Sequence, residues 1–215
     1  MVSKLDTKTR ILDAAESLFA EHGFSDTSLR LITTRASVNL ASVNYHFGSK
    51  KELIQAVIAR HLELFMPLLN EKLTALCAQA EKPSLLDVFN SFVDPLLALE
   101  QQSKNGTVIF MQLLGRSYTD EQGHLRWYIT THYGEVLANI TKALLKANPA
   151  LSSQELFWRL HFTLGTAVFT MASSGALMDI AKADFNQDID VEGLIRKVIP
   201  YLASGMNTST ETTSM

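Results

Sequence analysis

The 215-residue chain is 47% hydrophobic and carries 19 Lys and Arg against 22 Asp and Glu, a formal charge of −3. That apolar share supports a sizeable core and excludes a disordered polyelectrolyte, while the single cysteine, Cys77, excludes an intrachain disulfide framework and agrees with a reducing, cytoplasmic compartment. Charge is unevenly spread: residues 1–60 hold eight Lys and Arg against six Asp and Glu, and the remainder eleven against sixteen. A basic head on an acidic body suits a protein that meets nucleic acid with one end.

The opening MVSKLDTKTR lacks the hydrophobic stretch of a secretory signal. Residues 6–22 read as a first helix, with Ile11, Leu12, Ala15, Leu18 and Phe19 on one face and Gly23 as its stop. Lys4, Lys8 and Arg10 at its start are candidates to touch phosphate. From Thr27 to Lys51 no acidic residue occurs, although Arg30, Arg35, Lys50 and Lys51 do. Leu29, Ile32 and Ala36 recur at helical spacing, the ASVN at 36–39 interrupts them with Asn39 as a cap, and Leu40, Val43 and Phe47 form a second apolar stripe. Between these apolar positions the second helix shows Ala41, Ser42, Asn44, Tyr45 and His46, which is a helix-turn-helix pattern with a groove-reading second helix. An amide such as Asn44 can pair with the N6 and N7 edge of adenine. Small side chains such as Ala41 and Ser42 allow close approach. Tyr45, His46 and Lys50 stand where they could hold phosphates.

The segments AAESLFAEHGF, TSLRLI, ASVN and VNYHFGSKKEL, between Asp13 and Leu53, resemble the amino-terminal domain of TetR-family transcriptional regulators. The resemblance implies that Ser28 and Arg30 open the supporting helix against DNA. It also implies that Ala41, Ser42 and Asn44 face bases while Tyr45, His46 and Lys50 grip the backbone. One departure is Ser37, where the family usually has Gly. A positive φ there costs Ser about 1 kcal/mol relative to Gly. Thr33, where Ala is common, is a smaller departure.

Ser49 and Glu52 form a capping-box pattern that opens a long helix to about Ala80, carrying Pro67, where a kink is expected. The boundary between a DNA-binding domain at 1–50 and a second domain at 51–204 therefore carries no flexible linker. Ser84 and Asp87 start a helix to about Gln102, residues 108–114 a short one, and Leu125–Lys146 another. A break at Thr119–Gly123 precedes that last one. Ser152 and Glu155 start a helix that includes Leu160–Met178, nineteen residues without formal charge. Its hydroxyls and His161 favour a buried interface helix over a membrane span. A polar, acidic loop (182–190), a one-sided helix (191–202) and a small polar tail (205–215, expected disordered) complete an all-α chain of about nine helices. The family resemblance implies that the last two long helices pair with those of a second copy in a four-helix bundle. Gly165, Ala167, Ala172 and Gly175 are small enough for close approach. Two heads are needed to read half-sites about 34–36 Å apart.

No phosphate-binding glycine loop, hydrolase elbow or metal-ligand spacing occurs, so no catalytic residue, metal or cofactor is assigned and the chain is not read as an enzyme. Aromatic residues on separate helices of the body are compatible with an adaptable apolar cavity. Phe89, Phe92, Phe110, Trp127, Trp158 and Phe169 are its candidate lining, and Arg116 or Arg126 its candidate anchor for an anionic ligand end. SLRLITTRASVNLASVNYHFGSKKELIQAV together with FMQLLGRSYTDE is similar to the PsrA-type branch of the family. That resemblance implies a long-chain fatty acid or acyl-CoA as effector, a double-stranded operator and control of fatty-acid metabolism genes. The alternatives are a family repressor of an efflux or stress operon with another hydrophobic inducer, and a helical binding protein or enzyme without a DNA role.

Overall fold

Helix starts are written into the chain as side-chain caps. Asp6, Ser28, Asn39, Ser49, Ser84 and Ser152 each accept a backbone N–H from the first turn that follows. Ser84–Asp87 and Ser152–Glu155 close reciprocal capping boxes. The computed structural model describes residues 6–119 and 124–207, and among them every regular element is a helix. In chain order these are α1 (Thr7–Asp26), α2 (Leu29–Ala36), α3 (Leu40–Phe47), α4 (Lys50–Ala78), α5 (Leu85–Asn90) and α6 (Val93–Gln102). Then come α7 (Gly106–Thr119), α8 (His124–Ala147), α9 (Ser153–Ala172), α10 (Ser174–Phe185) and α11 (Val191–Asn207).

Two expected helices are each split, which raises about nine to eleven among the described residues. α5 and α6 part at Ser91–Phe92 because Pro95 has no N–H to donate to the Ser91 carbonyl. The uncharged run breaks at Ser173, and α9 and α10 meet at a bend of 69°. No single described helix is long and apolar enough to cross a membrane. Pro67, where a kink was expected, sits inside α4 without dividing it. It lies on the exposed face, where water can serve the carbonyl that lost its donor. Gly23 interrupts α1 with φ 83° and ψ 173°, and one further turn follows it. α7 is longer than expected, and α8 carries an irregular residue at Tyr133. α11 runs through Asn207 with Met206 buried, so residues 205–207 are helix rather than tail. Residues 208–215, Lys4 and the break at 120–123 lie outside the described residues.

α1 packs on α2, α4 and α7, and α4 packs on α8 and α6. Ile11, Leu18, Ile32 and Val43 of the head belong to one apolar core with Leu53, Val57, Leu62 and Leu69 of α4 and with Phe110 and Leu144 of the body. Because interiors are close-packed, displacing the body's helices must load the head.

Candidate DNA-reading helix and effector cavity

α2 and α3 bury Ile32, Thr33, Ala36, Val43 and Phe47, which fixes the face that α3 turns outward. That face carries Ala41, Asn44 and Tyr45, the last 85% exposed, with Ser42 and His46 half-buried at its edge. Leu40, read from the sequence as part of the buried stripe, is instead 50% exposed on the same face. At the first position of a two-turn helix it overhangs the core. Ser42 donates its hydroxyl to the Asn39 cap (2.9 Å), and Ser28 caps α2 by accepting from the Leu31 N–H. Arg30 is exposed, and its guanidinium makes no ion pair among the described residues. Lys50 turns its ammonium back over the Phe24 ring, 4.3 Å from the centroid and 3.5 Å from the Ser25 carbonyl oxygen. Burial there pulls its pKa down, partly offset by Asp26. Lys51, exposed beside it, is a phosphate candidate that the sequence reading passed over, although the Lys-Lys pair was there to see.

The turn between α2 and α3 resolves the anomaly at Ser37. Its φ is 53° and ψ 50°, the left-handed conformation that favours glycine. Arg10 spans the turn, its Nε and Nη2 donating to the Ala36 carbonyl at 3.1 and 2.7 Å, with Nη2 also donating to the Ser37 carbonyl. Arg10 therefore clasps the turn, and the sequence reading of it as a phosphate contact is replaced. Behind α1 lies a second polar junction. Glu16, 7% exposed, bonds His61 Nε2 at 2.9 Å and Arg60 at 3.3 Å, and Arg60 pairs with Asp13 at 2.8 Å. Burial raises the Glu16 pKa, but the hydrogen bond from His61 and the nearby Arg60 guanidinium outweigh it, so the carboxyl ends below its ordinary value.

In the body, α8 and α9 scarcely touch, and a cavity of about 490 Å³ lies between them, floored by α4 and α7 and closed by α6 and α11. Its wall is apolar, with Phe65 linking Phe92 and Phe110 at ring distances of 6.4 and 5.2 Å. The polar groups on it, among the described residues, are Thr130, Thr141, Thr163, His161 and Arg126, the last exposed. Of the predicted effector residues, Phe89, Phe92, Phe110 and Arg126 line this space.

The other four do not, and the helix faces explain why. Arg116 points away from the cavity and donates to the Ala20 and Glu21 carbonyls of α1 at 2.9 and 2.7 Å. Trp127 faces outward on α8 and is 60% exposed. Trp158 and Phe169, 52% and 65% exposed, stand on the outer face of α9, opposite the Leu160, Leu164, Ala167 and Met171 face that lines the cavity. With Phe162, Gly165 and Ala172, all exposed, they make an apolar stripe at alternating spacings of four and three. Ala167, expected with these small residues, faces the cavity instead.

The sequence matches two family descriptions, "Bacterial regulatory proteins, tetR family" over residues 11–57 and "Tetracyclin repressor-like, C-terminal domain" over residues 90–205. The chain belongs to the TetR family. TetR-family proteins are DNA-binding transcriptional regulators rather than enzymes. Among its relatives, the "Probable HTH-type transcriptional regulator YttP" of Bacillus subtilis is 32% identical over 85 residues, 40% of this chain and 41% of that protein. The HTH-type transcriptional regulator UidR of Escherichia coli is 40% identical over 57 residues, 26% of this chain and 29% of its own length. The match thus spans less than half the length of either relative. Solved structures share the fold across nearly the whole chain. A TetR-like transcriptional regulator from Rhodococcus sp. RHA1 has a TM-score of 0.60 at 16% identity, covering 95% of this chain and 97% of that one. The fatty acid degradation regulator FadR from Bacillus halodurans has a TM-score of 0.57 at 14% identity, covering 97% and 98%.

Proposed function

We propose that this TetR-family chain is a homodimeric repressor whose head, residues 1–50, holds an operator half-site and whose body, residues 51–204, binds an anionic amphiphile that releases DNA. Asn44 and Ala41 meet base edges, and Ser28, Arg30, Tyr45, His46 and Lys50 the backbone. A second copy covers the apolar stripe of α9 and sets the spacing of the two heads.

The observation that carries the effector reading is the composition of the cavity wall. Among the described residues, Arg126 is the one permanently charged side chain lining it and none of its lining is a carboxylate, the remainder being dominated by Leu, Ile, Phe and Met. Among those residues a cationic ligand would find no counter-ion. A long acyl chain with a carboxylate or acyl-CoA end would bury its methylenes inside and leave its charge at the exposed Arg126. Each buried methylene contributes about 0.8 kcal/mol before ordering costs, so affinity climbs steeply with chain length. A volume near 490 Å³ lies within the range of small-molecule sites. On this reading the regulated genes belong to fatty-acid metabolism.

The test is a titration of saturated carboxylates of graded length against the protein, with alcohols and amines of matching length. Carboxylates should bind tightest, and Arg126→Glu should reverse the order of carboxylate and amine. Equal binding of all three head groups would remove the anionic reading and leave a neutral hydrophobic inducer. Parallel titration of acyl-CoA separates the free acid from the thioester.

A further inference from the structure

Helix α7 touches both functional parts of the molecule. Phe110, Met111 and Leu114 line the cavity. Within one turn of Leu114, Arg116 leaves the cavity and donates Nε to the Ala20 carbonyl and Nη2 to the Glu21 carbonyl. These carbonyls belong to the last regular turn of α1 before Gly23, where φ turns to 83°. Carbonyls at a helix end lack intrahelical partners, and a cation there also meets the negative end of the helix dipole. The same corner is tied forward into the helix-turn-helix. The buried Thr27 hydroxyl donates toward the Gly23 carbonyl at 2.7 Å and the Leu18 carbonyl at 3.2 Å, and Ser28 follows as the cap of α2.

We propose that Arg116 is the residue through which the cavity acts on the head, an inference that rests on the cavity being the effector site. α7 has little freedom to yield toward α9. Gly115 sits so close to it that an added Cβ would lie 2.5 Å from Val168 Cγ1. A ligand that displaces Phe110 and Met111 therefore moves α7 as a unit, because a close-packed helix transmits strain. Arg116 carries that motion to Ala20 and Glu21. A second contact runs in parallel: the Phe110 ring lies 5.8 Å from His61, whose Nε2 bonds Glu16 one turn earlier on α1. Both lines end on α1, and Arg116 is the one that reaches the corner leading into α2.

The experiment uses the full-length protein, an operator selected from random duplexes, and oleate as probe. In wild type, oleate should weaken operator binding by a factor in the usual allosteric range of about 5–150. In Arg116→Gln, oleate and operator should each bind alone within about threefold of wild type, while that coupling factor falls toward one. Arg116→Lys, which keeps the charge and a single donor group, should fall between, and it carries the test if the Gln variant does not fold. A clip serving stability alone would lower the unfolding midpoint and leave the coupling factor unchanged, which overturns the proposal. A ligand-free arm separates this from the effector reading. Met111→Trp, which crowds the cavity wall, should speed amide hydrogen exchange at residues 18–27 when Arg116 is present and leave it unchanged in Arg116→Gln. Equal acceleration in both backgrounds overturns the proposal, whatever oleate does. A wild-type complex indifferent to oleate sinks the fatty-acid reading, while the exchange result still decides the role of Arg116.

Discussion

Helix α3 and the cavity are built on opposite plans. α3 exposes the residues proposed to read DNA: Ala41, Asn44 and Tyr45 stand in solvent, and only Val43 and Phe47 behind them are buried. The cavity is made from residues that also hold the body together, among them Leu62, Phe110 and Leu144, each under 2% exposed. Changes on α3 should therefore cost recognition without cost to folding. Changes in the cavity wall should cost both. α9 shows the contrast within one helix, with cavity residues on one side and the exposed stripe on the other.

The largest effect should come from the stripe. Gly165→Arg or Ala172→Arg places an unpaired charge where the second copy is proposed to pack, a change that costs about 3–5 kcal/mol in a buried site. Sedimentation should find monomers, and operator binding should be lost with the dimer. A dimer that persists would move the interface elsewhere. Leu144→Ala should lower unfolding free energy in urea by about 2–5 kcal/mol through the lost transfer energy and the space left behind. Asn44→Ala, by contrast, should leave stability within about 0.5 kcal/mol, yet cost about 1–3 kcal/mol per half-site and relax base preference if the amide makes a bidentate contact. A gel-shift series in which Asn44→Ala weakens every duplex equally would move that residue to the phosphate set.

Acid should expose the junction behind α1. Glu16 has a folded pKa below its unfolded value, so its contribution is fully present above the unfolded value near 4.5 and fades as pH falls through the folded one. Glu16→Gln should flatten stability against pH below that point, as read by urea midpoints at a series of pH values. An unchanged acid limb would mean that other carboxylates dominate. The smallest effect should be Ser37→Gly, which relieves the left-handed backbone at φ 53° and should stabilise by about 1 kcal/mol or slightly less.

How far the chain could be read follows the same contrast. Caps are local chemistry, so Asn39, Ser84 and Ser152 announced their helices, whereas the positive φ at Ser37 was suggested by the glycine usual there in the resembled family. The outward face of α3 was legible because two buried residues fix an eight-residue helix, with Leu40 missed at its end. The split at Pro95 was legible in principle, since a proline there fits only a first turn. The cavity was harder. Periodicity marks Trp158, Phe162 and Phe169 as apolar, and equally Leu160, Leu164 and Met171, but not which face meets its own chain. Arg116 was misplaced for the same reason: its partners are main-chain carbonyls nearly a hundred residues earlier, which leave no pattern in sequence.

Occupation of the cavity and occupation of the operator should oppose each other. Linkage makes that measurable in one quantity, because each ligand must weaken the other by the same factor. Oleate affinity measured with and without saturating operator, beside operator affinity measured with and without saturating oleate, gives the two ratios. Equal ratios well above one are the predicted result. Oleate that binds in the cavity with the same affinity whether or not the operator is present would contradict it.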